Sequence, residues 1–279
     1  MPFVTTYDLL IAAKAGGYAV GAFNAENMEM VQAIIGAAEA MNAPVIVQTT
    51  AGTLKYAPPK CFAGMVSRLA ASSKVPVALH LDHGNSYELA LECMQEGYTS
   101  LMIDGSLLPY EGNVTLTRRV VEMAGKLPVE AELGTVGGKE DGHEAQAQYT
   151  DPMQAADFVK CTGISSFAVA IGTAHGIYKG MPKLDLDRLS EIRRAVDIPL
   201  VLHGTSGVPH DQVRACIQRG ICKVNYATEL RIAFTEGVKK AMVEKPDAYD
   251  PKKYLGSGRD SVMALVCDRI RLCSSDGKA

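Results

Sequence analysis

The sequence lacks the features that mark several classes of protein. No C-x-x-C pair occurs among its seven cysteines, several of which lie in apolar runs, and this favours buried reduced thiols over disulfides or a thiolate metal site. No apolar run approaches the roughly 18 residues of a membrane span, and the N-terminus shows no signal-peptide pattern. These absences predict a cytoplasmic protein with no membrane partner.

A marked excess of one charge is also missing. The net charge is −3 and the isoelectric point is near 6.1, with no block of basic residues, which argues against a function in binding nucleic acids or membrane surfaces. Neither an internal repeat nor a break in composition divides the 279 residues, of which 47% are hydrophobic. We therefore predict a single domain over residues 1–279, built around one large core.

What the chain does contain is a regular alternation of short apolar segments with segments of helical periodicity. The predicted strands are Tyr18–Phe23, Pro44–Thr50, Pro76–His83, Ser100–Asp104, Pro128–Gly134, Ser166–Gly172, Pro199–Gly204 and Ile221–Asn225. The predicted helices include Met1–Gly17, Met28–Ala38, Cys61–Ala71, Tyr87–Glu96, Pro152–Cys161, Leu186–Val196, Asp211–Arg219 and, after a charged arm, Asp260–Leu272. Eight such units predict an α/β fold, a (β/α)8 TIM barrel with a C-terminal helical arm. A doubly wound open sheet is the alternative, but no strand is followed by G-x-G-x-x-G.

The strand Val77–Gly84 indicates where function would lie. It is apolar until it ends in Asp82 and His83. Burial of a carboxylic acid and an imidazole is costly unless the two groups have hydrogen-bond partners or a functional role. In a parallel barrel the active site lies at the carboxyl ends of the strands. The structural alternative is that Asp82 caps a helix and His83 is a core histidine. Polar residues also collect at the other strand ends: Asn24, Thr50, Asp104, Glu132, His175, His203–Ser206 and Asn225–Thr228.

Three of the six histidines fall at these strand ends, and a glycine follows each of them. His83, His175 and His203 could therefore converge on one metal ion, and three neutral imidazoles with an open fourth position form a common catalytic zinc site. The alternative is three unrelated core histidines. His80, on the same strand as His83, is predicted to support the site or the core.

Small and hydroxyl-bearing residues end the seventh and eighth strands. The segments Gly204–Gly207 and Asn225–Thr228 lie where barrels often bind phosphate through backbone N–H groups and a helix N-terminus. Two ordinary capped turns are the alternative. Beside a candidate metal site, these segments favour a phosphorylated substrate.

Several long motifs carry a resemblance to a known family. They are L-H-L-D-H-G from Leu79, M-I-D-G-S from Met102, E-A-E-L-G-x-x-G-G from Glu130, A-I-G-T-A-H-G-x-Y from Ala170, L-V-L-H-G-x-S-G from Leu200 and K-x-N-x-A-T-E from Lys223. In this order they resemble the class II, metal-dependent ketose-bisphosphate aldolases. The resemblance extends over nearly the whole chain, to D-P-x-K-Y-L from Asp250.

The resemblance implies reversible aldol cleavage of a ketose 1,6-bisphosphate to dihydroxyacetone phosphate and glyceraldehyde 3-phosphate. Asp82 would exchange a proton with the C4 hydroxyl. Glu140 would exchange a proton with the enediolate carbon, and it lies on a glycine-rich segment expected to act as a lid. Zinc would be held by His83, His175 and His203, with Asp104 and Glu132 lining the metal site or binding a second cation. The phosphate of the dihydroxyacetone phosphate half would be bound by Gly176, Lys179, Gly204, Thr205, Ser206, Asn225, Ala227 and Thr228. A sodium or potassium ion would lie near that phosphate.

The family pattern also implies how the rest of the substrate is bound. Asn24 and Thr50 would flank it, and Arg259 would reach the second phosphate in the neighbouring subunit of a homodimer or homotetramer. Thr50 resembles the tagatose branch rather than the serine of many fructose-specific members, so the choice between the two sugars stays open, as does a one-phosphate or sulfonated ketose. A barrel metallohydrolase and a non-catalytic subunit are the remaining functional alternatives.

Overall fold

Strands and helices alternate along nearly the whole chain. The computed structural model describes residues 2–140, 143–178 and 180–279, without the side chains of residues 139–140 and 143–145. The strands are β1 (Val20–Asn24), β2 (Val45–Thr50), β3 (Val77–Gly84), β4 (Ser100–Ile103), β5 (Val129–Leu133), β6 (Gly137–Glu140), β7 (His143–Ala145), β8 (Ser166–Val169), β9 (Ala174–His175), β10 (Leu200–Leu202) and β11 (Ile221–Tyr226). The helices are α1 (Thr6–Gly16), α2 (Met28–Met41), α3 (Ala51–Tyr56), α4 (Pro59–Ser72), α5 (Tyr87–Gln95), α6 (Tyr110–Ala124), α7 (Pro152–Thr162), α8 (Leu186–Ala195), α9 (His210–Gln218), α10 (Thr228–Glu244) and α11 (Pro251–Leu272).

Eight of the strands close into a barrel in the order β1-β11-β10-β8-β5-β4-β3-β2. All of the pairings around the barrel are parallel. The predicted (β/α)8 barrel is therefore confirmed, and the open-sheet alternative is wrong. All eight predicted strands are present, with ends shifted by a few residues.

Side chains alternate between the inside and the outside of the barrel along each strand. In β3, Leu79 and Leu81 join the large core between the strands and the surrounding helices, whereas Ala78 packs inside the barrel. Helix α1 closes the amino-terminal end of this interior, where its Leu9 and Leu10 pack against the first residues of the strands. The opposite end, at the carboxyl ends of the strands, is left open for a site.

The C-terminal arm differs from the prediction. Helix α11 begins at Pro251 rather than near residue 260, because Asp250 caps it by accepting a hydrogen bond from the Lys252 N–H at 3.2 Å. The glycines of this region are helical, and Gly258 lets α11 pack closely on α10: a Cβ there would lie 2.9 Å from the Phe234 ring. No helix in the described part of the chain is long and apolar enough to span a membrane.

The glycine-rich segment after β5 contains short strands that the sequence did not predict. Strand β6 pairs with β7 on one side and with β9 on the other, so that Gly138 lies opposite His175. A side chain cannot replace Gly138, since its φ is +94° and a Cβ would lie 2.2 Å from the His175 carbonyl oxygen. The segment is thus joined to the rim of the barrel beside a predicted metal ligand.

Candidate active site

The backbone at the end of β3 departs from regular strand geometry. The pairing with β4 shifts register between Leu81 and Gly84, and His83 has a φ of +44°, in the left-handed region that residues other than glycine rarely adopt. A β-bulge of this kind redirects a side chain. The close approach of the two strands requires Gly84, because a Cβ there would lie 2.4 Å from the Met102 carbonyl oxygen. The motif therefore directs His83 toward the barrel mouth at the cost of local strain.

His83, His175 and His203 converge at this mouth. Each offers a ring nitrogen, and these three atoms lie within 4.8 Å of one another. His203 Nδ1 is 2.7 Å from His83 Nε2, and the His83 and His175 rings meet edge to face with centroids 5.0 Å apart. The structure thus brings together the three histidines predicted from the sequence, and three imidazole nitrogens are a donor set that suits zinc. A second possible group is His83 with Asp104 and Glu132.

Carboxylates orient two of the three histidines. His83 Nδ1 is 2.7 Å from Asp104 Oδ2, and His203 Nε2 is 2.9 Å from Glu130 Oε1. Because each carboxylate accepts the proton of one ring nitrogen, the other nitrogen is left as a lone-pair donor facing the cluster. This arrangement sets the tautomers that a metal site needs.

The strand that carries His175 is held by Tyr178, the last residue of the motif that begins at Ala170, to which the sequence analysis assigned no role. Tyr178 donates its hydroxyl proton to the Gly204 carbonyl oxygen at 2.7 Å and accepts the Ala174 N–H at 2.7 Å. Gly204 has a φ of +64°, and a Cβ there would lie 2.8 Å from the Ala174 backbone. Tyr178 thereby fixes the distance between the loop after β10 and the strand of His175.

Below the histidines, a charged pair crosses the barrel interior. Lys223 of β11 donates to Glu130 Oε2 of β5 at 2.8 Å, and the two side chains are 0% and 2% exposed. His80 lies in the same layer, with Nδ1 2.6 Å from Ser100 Oγ and Nε2 3.8 Å from Glu130 Oε2. His80 thus lies in the barrel interior below the histidines, and its predicted role in supporting the site or the core stays a prediction. The contact between Glu130 and Lys223 joins strands that are not neighbours in the barrel.

The ionisation of these groups suits metal binding. Burial lowers the pKa of His203 below its ordinary value of 6.5, so the ring is neutral, as a metal ligand must be. Burial opposes ionisation of Asp104, but its hydrogen bonds with His83 and Ser106 outweigh this effect and lower the pKa of Asp104. Burial is likewise outweighed at Glu130, where the charge of Lys223 and the hydrogen bond with His203 lower the pKa.

Asp82 lies beside the histidines and is held at both oxygens. Its Oδ2 accepts a hydrogen bond from Asn24 Nδ2 at 2.9 Å, and its Oδ1 accepts one from Asn225 Nδ2 at 3.0 Å. Asn24 is itself oriented by Gln48, whose Nε2 donates to its Oδ1 at 2.7 Å. The carboxylate is only 2% exposed. The two amide donors fix the orientation of the carboxylate beside the histidines.

Two recesses meet at His83 and His175. The narrow recess, about 390 Å³, is lined by Asn24, Asp82, His83, Ala174, His175, Gly176, Gly204, Thr205, Ser206, Asn225, Ala227, Thr228 and Arg231. The wide recess, about 820 Å³, is lined by Ala51, Gly52, Lys55, His83, Asn85, Asp104, Ser106, Leu107, Glu132, Thr135, Val136, Gly138 and His175. A molecule that spans both would pass beside the histidines.

Some predicted site residues stand apart from these recesses. Thr50 is buried and caps α3, and it lines neither recess. Arg259 lies on α11, where it donates to Asp260 and Gln32 at 3.3 and 3.5 Å. Lys179 and the side chain of Glu140 lie outside the described residues. All other predicted site residues line one of the two recesses or, in the case of His203, the metal cluster.

The structure also adds residues that the sequence analysis missed. Arg231 lines the narrow recess and donates to Glu26 at 2.6 Å, and Glu130 orients His203. Glu130 could have been found from the E-x-E spacing with Glu132, because residues two apart on a strand point to the same side. Arg231 and Lys55 carry no comparable signal in the sequence.

Comparisons with known proteins identify proteins that are similar to this chain. The sequence model of the family described as fructose-bisphosphate aldolase class-II matches residues 4–278. The crystal structure of the YdjI aldolase from Escherichia coli K12 superposes with a TM-score of 0.89 at 35% identity, and the match covers 99% of both chains. Fructose-bisphosphate aldolase (Fba) from Campylobacter jejuni shares the fold, with a TM-score of 0.84 at 24% identity over 99% of this chain and 97% of that one.

Proposed function

The chain belongs to the class II fructose-bisphosphate aldolase family, and on that premise we propose that it cleaves a ketose 1,6-bisphosphate reversibly. The substrate is fructose or tagatose bisphosphate, and the products are dihydroxyacetone phosphate and glyceraldehyde 3-phosphate. The observation that carries the proposal is the convergence of three histidines beside Asp82, between two recesses. Family membership favours this reaction over the metallohydrolase and non-catalytic alternatives. The alternative of a one-phosphate or sulfonated ketose is tested by assaying such ketoses beside the two bisphosphates.

We propose zinc as the resident metal, held by His83, His175 and His203. Zinc supplies Lewis acidity next to the ketose carbonyl, where negative charge develops during cleavage. The neutral His203 and the carboxylate partners of His83 and His203 fit this role, because they present ring lone pairs to one point. Asp104 and Glu132 would line the metal site or hold a second cation, which their proximity to His83 supports.

Asp82 is the proposed base for the C4 hydroxyl in the direction of cleavage. The amides of Asn24 and Asn225 hold its two oxygens, so the carboxylate keeps one orientation. Removal of the C4 hydroxyl proton lets the bond between C3 and C4 break, and in the reverse direction Asp82 returns that proton. Glu140 is proposed to exchange a proton with the enediolate carbon. Its strand β6 pairs with the strand of His175, which supports a position at the rim of the site.

The narrow recess is the proposed phosphate site. Gly176, Gly204, Thr205, Ser206, Asn225, Ala227 and Thr228 line it, and Lys179 is proposed to join them. Helix α10 begins at Thr228, so its N-terminal amides and dipole face the recess. A sodium or potassium ion is proposed beside the phosphate. The buried Oδ1 of Asn225, which accepts no hydrogen bond within the described residues, is an oxygen ligand suited to a hard cation.

We also propose a homodimer or homotetramer in which Arg259 binds the second phosphate of the substrate held in the neighbouring subunit. Asn24 and Thr50 are proposed to lie near the substrate. Within one chain Arg259 lies on α11 outside both recesses, where it donates to Asp260 and Gln32, so a role in phosphate binding would lie in another subunit. Mixing Asp82→Ala with Arg259→Ala subunits under exchange conditions should restore cleavage. If the subunits exchange and no activity returns, Arg259 does not act between subunits.

A cytoplasmic location and action as one domain over residues 1–279 remain predictions.

The decisive experiment compares cleavage with proton exchange. Chelation should abolish cleavage of fructose and tagatose bisphosphates, and zinc should restore it. Asp82→Ala should lose cleavage by about 100-fold or more while still exchanging the reactive proton of dihydroxyacetone phosphate with solvent. Glu140→Ala should lose that exchange as well. Full activity in protein shown to be metal-free, or phosphate release without carbon–carbon cleavage, would refute the proposal.

A further inference from the structure

One cation in the wide recess has no role in the site described above. Among the described residues that line this recess, Lys55 is the one lysine or arginine. Its side-chain ammonium forms no hydrogen bond or ion pair in the described part of the chain, unlike those of Lys14 and Lys223, which each pair with a carboxylate. A lysine that faces a cavity without a counterion is suited to bind an anion from solution.

The position of Lys55 is set by the surrounding structure. It lies on the short helix α3, which follows β2 directly and is capped by Thr50. Thr53 on the same helix donates to Glu26 at 2.7 Å, and Glu26 accepts a second hydrogen bond from Arg231 at 2.6 Å. These contacts tie α3 to a residue of the narrow recess, so the base of the Lys55 side chain has a fixed place relative to both recesses.

Lys55 lies where the aldehyde half of the proposed ketose substrate would extend. Because the two recesses share His83 and His175, a ketose with its phosphate in the narrow recess extends its other half into the wide recess. The acids of the wide recess, Asp104 and Glu132, belong to the candidate metal cluster, whereas Lys55 extends from a separate helix, α3. An anionic group at the far end of the aldehyde half is therefore attracted to the side chain of Lys55.

We propose that Lys55 binds the anionic terminal group of the aldehyde half, a phosphate or a carboxylate, within its own subunit. This inference rests on the proposed aldolase reaction and adds a specificity-determining residue to it. A lysine ammonium is a compact charge on a flexible stem, so it can pair with either group. It would make the enzyme prefer aldehydes that end in an anion over neutral aldehydes of similar length.

The test measures aldol addition of dihydroxyacetone phosphate to three aldehydes. These are glyceraldehyde 3-phosphate, succinate semialdehyde and neutral glyceraldehyde. Lys55→Gln should lower kcat/KM for an anionic aldehyde by about 10- to 100-fold, as expected for loss of a charged hydrogen bond. It should leave addition to glyceraldehyde and proton exchange of dihydroxyacetone phosphate unchanged, and Lys55→Arg should restore most of the loss. Lys60→Gln, which removes an exposed lysine on α4 outside both recesses, is the matched control.

The outcomes separate the possible explanations. A loss confined to glyceraldehyde 3-phosphate assigns the site to a terminal phosphate, and a loss confined to succinate semialdehyde assigns it to a carboxylate. If the preference for anionic over neutral aldehydes is the same in Lys55→Gln and Lys60→Gln while exchange proceeds, the role of Lys55 is refuted and the aldolase proposal stands. A wild-type enzyme that shows neither exchange nor addition overturns both.

Discussion

Replacing Lys223 with methionine should destabilise the protein far more than replacing an exposed lysine. Lys223 is 0% exposed and its ammonium lies 2.8 Å from Glu130 Oε2. At an effective dielectric constant of about 20, two charges at that distance attract each other by about 6 kcal/mol. Part of this attraction offsets the cost of burying both ions, and measured losses on breaking such pairs are about 3–5 kcal/mol. We expect the unfolding free energy to fall by that amount.

The loss should depend on Glu130 as well. Without Lys223 the carboxylate stays buried, with His203 Nε2 at 2.9 Å and Ser166 Oγ at 3.5 Å as its remaining hydrogen-bond partners. The double variant Lys223→Met with Glu130→Gln should therefore be less destabilised than Lys223→Met alone, because no uncompensated charge remains. The single variant should also lose less stability in acid, where Glu130 can bind a proton.

Urea unfolding of the metal-free protein, followed by far-ultraviolet circular dichroism, measures these differences; the chain has no tryptophan for fluorescence. Lys239→Met is the matched control, since Lys239 pairs with Glu236 at 3.1 Å with both side chains about two-thirds exposed (67% and 65%). Its unfolding midpoint should not change. A loss of less than about 1 kcal/mol for Lys223→Met, as for surface pairs, would refute the reasoning, and so would additive effects in the double variant.

Two further predictions concern the strand of His83 and the buried histidines. Gly84→Ala would place a Cβ 2.4 Å from the Met102 carbonyl oxygen, so it should lower the unfolding free energy by about 1–3 kcal/mol and weaken zinc binding in a chelator competition. The control is Gly64→Ala on α4, where a Cβ would meet open space, and it should change neither quantity. Equal effects of the two substitutions would contradict this prediction. Burial lowers the pKa of His80 and His203 below 6.5. The unfolded chain therefore binds more protons in acid, so the metal-free protein should be most stable above about pH 6.5 and lose stability as the pH falls below it. His80→Gln should flatten this dependence of the urea midpoint, and an unchanged slope would count against it.

Local sequence patterns were sufficient for the order of the eight barrel strands and for the polar residues that collect at their ends. The prolines before several strands, the apolar segments and the caps depend on neighbouring residues, so they could be read from the chain alone. The same holds for His83, His175 and His203, because parallel strands bring their carboxyl ends to one edge of the barrel. The start of helix α11 was misjudged because the segment from Glu244 to Arg259 is charged and has two prolines, whereas close packing on α10 at Gly258 stabilises part of this segment as a helix.

Other features depended on tertiary structure. The contact of Glu130 with Lys223 joins residues 93 positions apart on strands that are not neighbours, and the bulge that redirects His83 depends on the register of β3 against β4. Lys55 and Arg231 lie on helices whose exposed faces show no pattern that separates them from other surface cations. Strand alternation tells which side of a sheet a residue faces. Which residues meet across the interior is set by the register in which the barrel closes, and that depends on the pairing of all eight strands together.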